Sequence, residues 1–298
     1  MVQVQGMKVE VEQPWVLGGL SVFPLVSTAV GEHRYVPGPI AFEQGLVKVS
    51  ELDPPQVPFL AVENLALVDV LLVEGETLVG GNQNRTLNAT ILLTSESRTV
   101  VPVSCVEAGR WGHPRNVARS RSHLPGSIRA AKIANLSSDG GPARWRSNQG
   151  LVWEEVDRQA QRHGVRSQTS ALEDVQAAIE NDLDAQIADL VACDGQVGIA
   201  CATGARVLGV DIFDRPDALG SYLTALVAGY RLDADEGARP GLVEEVELFL
   251  AQVDHAPCAV GPAVGLGEEL RLSGSVTGLC LRVDRQLVHL AAFPRPAG

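Results

Sequence analysis

From Trp15 to about Val103 the chain is cut into short apolar runs by Gly, Pro, Asn and Asp: GLSVFPLV, PFLAVENLALVDVLLVEG, TLNATILLT and RTVVPVSCV. Runs this short between turn formers build strands rather than helices. In TLNATILL, Leu87, Ala89, Ile91 and Leu93 share one face, and Thr86, Asn88, Thr90 and Leu92 share the other. That alternation predicts a single strand with one fully buried face. Gly80-Gly81-Asn82 supplies a turn between it and the preceding LLVEGETLV run, because glycine reaches positive φ without strain. The first 110 residues thus predict an antiparallel β sandwich or barrel, and residues 1–13, which are polar, a frayed end.

The second half changes character. Residues 151–163 place Val152, Val156 and Ala160 on one helical face, with Gly164 as the C-terminal cap. Ser170 and Glu173 have capping-box spacing at the start of a helix striped by Leu172, Val175, Ile179, Leu183, Ile187 and Leu190. A hairpin turning at Thr203-Gly204, helices near 217–230 and 241–254, and closing strands that turn at Asp284-Arg285 complete an α+β fold whose C-terminal half is antiparallel strands packed with helices. The expected organisation is a mainly β region over 14–111, a basic linker over 112–150 and an α+β region over 151–298, which could form one composite domain with the first.

Charge is unevenly spread. The net charge is −12 over 298 residues, yet residues 110–146 hold eight basic side chains against the single Asp139, a local +7 that leaves −19 elsewhere. An acidic chain with 4% aromatics is a poor nucleic-acid binder, while the basic segment reads either as a solvated loop or as an attractor of a small anion. An apolar content of 45% excludes a disordered chain, and no apolar run approaches the roughly 20 residues of a membrane span. The N-terminus has no secretory pattern, so the expected location is the cytoplasm. The five cysteines are widely spaced and lack CxxC or Cys/His pairing, so they read as buried apolar thiols, with no metal site expected. Apolar C-terminal strands with edges to cover imply a homodimer.

Chemistry-bearing residues concentrate between 74 and 111. Glu74 and Glu76 form a carboxylate pair suited to acid/base work or a divalent cation, or else to turn chemistry. Gln83 and Asn84 can read polar ligand edges, and Arg85 can hold an anion or pair with Glu74, Glu76 or Glu107. Cys105 is a poor nucleophile beside a carboxylate. Glu107 and Glu76 are the acid/base candidates, Arg110 a second anion holder, and Trp111 either a stacking platform or a core plug. Asp211 is a ligand or a turn-proximal carboxylate, and His289 reads as an interior histidine with its hydrogen bonds met.

The segments LLVEGETLVGGNQNRTLN (71–88) and PVSCVEAGRW (102–111), with NQGLVW (148–153) and GVDIF (209–213), resemble a bacterial family, the ADP-ribosylglycohydrolase-and-rhodanese-phosphatase-associated protein domain. The resemblance runs from about residue 15 to 293. It implies a link to ADP-ribose or NAD metabolism and lends weight to Glu74, Glu76, Gln83, Asn84, Arg85, Glu107, Arg110 and Trp111, without assigning them roles or naming a cofactor. The functional expectation is a cytoplasmic protein that binds a small anionic metabolite of ADP-ribose, NAD or nucleotide type, whether or not it also processes it. The alternative is a non-catalytic scaffold or interaction module in which the same polar residues form a structural network.

Overall fold

A computed structural model describes residues 1–110, 115–137, 144–187 and 190–296, without the side chains of 115 and 180–186. In chain order its elements are β1 (Val2–Val4), β2 (Met7–Val11), β3 (Trp15–Leu17), β4 (Leu20–Val26), β5 (Tyr35–Pro37), α1 (Gly38–Glu43), β6 (Val47–Ser50), β7 (Phe59–Asn64), β8 (Asp69–Leu72), β9 (Glu76–Gly81), β10 (Arg85–Leu87), β11 (Ile91–Leu93), β12 (Ser97–Cys105), β13 (Arg115–His123), α2 (Gly126–Ala134), α3 (Gln149–Arg162), α4 (Leu172–Ile187), β14 (Gln196–Thr203), β15 (Arg206–Phe213), α5 (Pro216–Arg231), α6 (Val243–Asp254), β16 (Cys258–Pro262), β17 (Glu268–Leu272), β18 (Val276–Val283) and β19 (Gln286–Pro294).

The strands make three sheets, and the fold is α+β. The largest has ten strands in the order β1-β2-β4-β14-β15-β19-β18-β17-β16, with β3 also on β4. All its pairings are antiparallel. Its central strands are apolar on both faces because helices cover both. Val22, Ile199 and Ala291 pack with α5 residues such as Leu219, Leu223 and Leu226. Phe23, Ala200 and Leu290, next to them in sequence, pack with Val246, Phe249 and Leu250 of α6. The two helices are well delimited: Pro216 sits in the first turn of α5 and Arg231 in its last, and the Glu245 side chain accepts from the Leu242 N–H at 3.0 Å at the start of α6.

The other two sheets are antiparallel β13-β9-β10-β12-β7-β6 and the three-stranded β11-β8-β5, in which β5 runs parallel to β8. They meet over Leu60, Val62, Leu87, Val101 and Val103 on one side and Val70, Leu72, Ile91 and Leu93 on the other, which is the sandwich expected of the N-terminal half.

Five local expectations are corrected. Residues 1–13 are not frayed: Gln5 and Gly6, both at positive φ, turn a hairpin that buries Val4, Met7 and Val9. The alternation of VQV and MKVEV carried that signal. TLNATILL is not one strand, because it breaks after Leu87 into β10 and β11 of different sheets. Asn88 holds the break, donating to the Trp145 carbonyl at 2.9 Å and accepting from Ser104 at 2.8 Å. Segment 112–150 is not a bare linker, since it supplies β13 and α2, and its residues 138–143 lie outside the described residues. Before α4, Ser167 rather than Ser170 accepts from backbone N–H groups, those of Thr169 and Ala171. The side chain of Leu183, placed on the α4 stripe, is outside the description. Cys105, Cys201 and Cys280 are buried as expected, whereas Cys193 and Cys258 are exposed.

The hairpin yields a first prediction. Val9→Ala removes two buried methyl groups and should cost about 2 kcal/mol in urea unfolding, while Lys8→Ala should cost almost nothing. Equal, negligible effects would mean that the N-terminus is not docked in solution.

Candidate functional site

The carboxylates singled out in the sequence do not converge on one site. Glu76, Glu107 and Glu74 are claimed by different cations. Glu76 Oε2 accepts from Arg119 Nε at 2.7 Å, and its Oε1 lies 2.7 Å from the Tyr222 hydroxyl and accepts from the Val73 N–H at 2.6 Å. Glu107 takes both Arg110 Nε and the Asn84 N–H at 3.0 Å. Burial pushes its carboxyl up, but hydrogen bonds from Arg110, Asn84 and Thr169 outweigh burial and hold it below the usual range. Glu74 belongs to Arg129 and Lys132. The partners considered for Arg85 are therefore taken by other cations; Arg85 itself is buried, and its Nη1 donates to Gln83 Oε1 at 3.1 Å.

Around Glu107 the polar residues tie loop to strand. Arg110 donates to the Gly81 carbonyl at 2.8 Å and to Asn84 Oδ1 at 3.0 Å, and Asn84 Nδ2 donates to Glu173 of α4 at 3.0 Å. Gln83 reaches the Ala108 carbonyl at 3.5 Å. The Cys105 thiol is pushed up by burial, Arg85 opposing and Glu51 adding to the shift, so it is no ready nucleophile. Trp111 and His113 lie outside the described residues.

The deepest polar cluster centres on Arg129 of α2, which a reading of 112–150 as a solvated basic loop misplaces. Its guanidinium has no exposure and spans two carboxylates: Nε to Glu74 Oε2 at 2.9 Å, and Nη1 and Nη2 to Asp211 at 2.9 and 2.6 Å. Lys132 Nζ lies 2.5 Å from Glu74 Oε1 and also donates to the Leu87 carbonyl. Tyr230 donates to Asp211 at 2.8 Å, and His289 Nε2 lies 3.4 Å from Asp211 while its Nδ1 meets Thr90 Oγ1 at 2.8 Å. Two acids and two bases thus neutralise one another with no exposure at all. Burial opposes ionisation of Glu74, but Lys132 and Arg129 outweigh it and hold the carboxyl low. His289 is interior as expected, but only its Nδ1 is hydrogen-bonded, its Nε2 having no hydrogen-bond partner, and Asp211 serves as the counter-charge of Arg129.

Beside this cluster His123 is buried with neither ring nitrogen hydrogen-bonded. Burial first, then the Arg129 charge, drives its pKa well below the ordinary value, so the ring is neutral. Gly75, at φ 86°, leaves it room: a Cβ there would come within 2.5 Å of the His123 ring and 2.9 Å of Arg129 Nε.

Open space lies elsewhere. A cavity of about 780 Å³ opens between α2, α3, β15 and the segment after β19. Ser127, Ala130, Ala131 and Ala134, spaced i, i+3, i+4, i+7, make one wall, and Leu151, Val207, Leu208 and Pro294 add apolar surface. Its charged residues are Arg158, Arg206, Arg295, Glu155 and Asp233. Asp233 is anchored by the Ser127 N–H and hydroxyl at 2.8 and 2.6 Å and by Gln159 at 2.6 Å, so the N-terminus of α2 already carries an anion. The Glu155 carboxyl is pushed up by burial, with nearby Arg158 opposing and Asp233 adding. None of Glu74, Glu76, Gln83, Asn84, Arg85, Glu107 and Arg110 lines this cavity. Its charged residues sit among ordinary amphipathic-helix charges in the sequence, and no spacing marks them out.

One family model, described as the ARG and Rhodanese-Phosphatase-superfamily-associated Protein domain, matches residues 8–293. The chain belongs to that family. No curated protein and no solved structure matches it. Among the described residues no helix is long and apolar enough to cross a membrane.

Two outcomes follow. Arg129→Ala strands two buried carboxylates and should cost about 3–5 kcal/mol in denaturant unfolding, where truncating the exposed Arg239, paired with Glu245, should cost under about 1 kcal/mol. For pH, the folded-state pKa of His123 lies below its unfolded value. Protons therefore favour the unfolded chain, and stability falls as pH drops below about 6.5. Replacing the ring by His123→Phe should remove about 1 kcal/mol of the loss between pH 7.5 and 5.5; identical pH profiles for the two proteins would contradict a neutral, buried ring.

Proposed function

We propose that this protein binds a small anionic metabolite of nucleotide size in the cavity between α2 and α3. The observation that carries this reading is the cavity itself: about 780 Å³, within the range of small-molecule sites, with an apolar wall and arginines at its rim. Arg206 and Arg158 are exposed there and paired with Asp235 and Glu155, respectively, which leaves guanidinium edges for a phosphate. The apolar wall suits a ring or sugar face. The family description, through its association with ADP-ribosylglycohydrolase, favours ADP-ribose and NAD-type compounds over other anions. If the ligand is processed, Glu155 is the acid best placed to give up a proton, because its raised pKa keeps a proton on it at higher pH than an ordinary glutamate.

A second reading has its own support. The 74–110 cluster is buried and ion-paired, as a register-holding network in a non-catalytic scaffold would be. One experiment separates the two. Thermal unfolding is followed with ADP-ribose, NAD, AMP and sugar phosphates. A ligand at about 100 times its dissociation constant adds about 2.7 kcal/mol. The binding reading expects such a shift, and expects Arg206→Ala and Arg158→Ala to abolish it while leaving the free protein's stability within about 1 kcal/mol of wild type. No shift with any of these compounds would favour the scaffold, and a shift indifferent to both variants would overturn the placing of the ligand in this cavity.

A further inference from the structure

The basic segment 110–146 is largely accounted for by internal partners. Arg110 is paired with Glu107, Arg119 with Glu76, Arg129 with Glu74 and Asp211, Lys132 with Glu74 and Arg144 with Glu269. Arg146 lies over the Phe59 ring. Among the described side chains of that segment Arg121 is the cation left without an acid or a ring. It is exposed, and it lines a second cavity, of about 390 Å³, between β13, α4 and α5.

We infer that this second cavity is a binding site for a phosphate monoester with a small apolar group, distinct from the cavity between α2 and α3. Arg119 also lines it and arrives pre-oriented: Glu76 holds its Nε at 2.7 Å from behind, and the guanidinium lies 5.5 Å from the centre of the Tyr222 ring. That fixes the plane of the fork and spares the entropy of ordering it on binding. Ser122 and Thr224 bring hydroxyls and Gln176 an amide, the Ser221 hydroxyl being committed to the Asp217 carbonyl at 2.9 Å; no carboxylate is among the described side chains that line the cavity, and those of residues 180–186 of α4 lie outside the description. The Arg119 and Arg121 guanidinium groups and the Ser122 and Thr224 hydroxyls thus face one space, and among the described side chains Arg121 has no acid beside it, a setting that suits an oxyanion. Ile179, Ala225, Ala228 and Leu232 add apolar surface to the same cavity, which suits an apolar substituent on the anion. The two arginine forks match a dianion with three terminal oxygens better than a carboxylate with two.

The test uses the full-length protein and phenyl phosphate as probe, with inorganic phosphate, benzoate and phenol for comparison, at constant ionic strength. Calorimetric titration and thermal unfolding are the readouts. Phenyl phosphate should bind more tightly than phosphate or benzoate, and phenol should not bind. Arg121→Ala, an exposed substitution, should weaken phenyl phosphate binding by about tenfold or more, and Thr224→Val by a few-fold. Arg206→Ala, at the other cavity, should leave it unchanged. Absence of binding, binding equal in the Arg121→Ala protein, or loss in Arg206→Ala would overturn the site. Benzoate binding as tightly as phenyl phosphate would overturn the phosphate assignment. Because the two cavities share no lining residue, either result is independent of whether ADP-ribose binds between α2 and α3.

Discussion

Arg129 has no exposure, and a guanidinium cannot give up its proton to escape burial. It must therefore be met by fixed negative charge, and the chain meets it from both sides: Glu74, at the turn between β8 and β9, and Asp211, in the middle of β15. Glu74 joins strands of the two smaller sheets, whereas Asp211 lies in the ten-stranded one. The ion cluster thus clamps α2 between the smaller sheets and the ten-stranded one. Such clusters add little net stability compared with well-packed apolar side chains, but they are costly to break, and this makes the arrangement specific. Lys132, one turn further along α2, repeats the logic by reaching Glu74 and the Leu87 carbonyl, at the point where β10 ends and the chain leaves its sheet.

The same helix has a second face. Because 3.6 residues make a turn, seating Arg129 and Lys132 inward turns Ser127, Ala130, Ala131 and Ala134 toward the large cavity. Small residues along that stripe leave the space open. The clamp and the cavity are two sides of one element. The most conspicuous polar residues of the sequence are buried and paired with one another, and the unremarkable ones, Arg158, Arg206 and Glu155, line the open cavity.

Much of the fold was readable because local chemistry decides it. Thr203-Gly204 and Asp284-Arg285 turn hairpins where they were expected, and α5 and α6 follow their apolar periodicity and end signals. What was misread depends on distant partners. Alternation across TLNATILL is compatible with one strand, and the break is held by Asn88 meeting Trp145 and Ser104. Helix α2 was hidden because its basic residues look solvent-seeking until Glu74 and Asp211 are seen to receive them. The N-terminal hairpin was legible in VQVQGMKVEV and was outweighed by its polar composition.

By itself, the sequence determined the α+β class, most turns, the later helices and the family, since these rest on periodicity, backbone preference and contiguous motifs. It also determined that residues 74–110 carry an unusual density of charge and amide groups. Whether that density faces solvent or is sealed was decided by the tertiary structure alone. A carboxylate has the same identity in either setting. Its role is set by the cation that folding brings to it, and Arg119 and Arg129 come from a stretch of chain more than 40 residues away from Glu76 and Glu74.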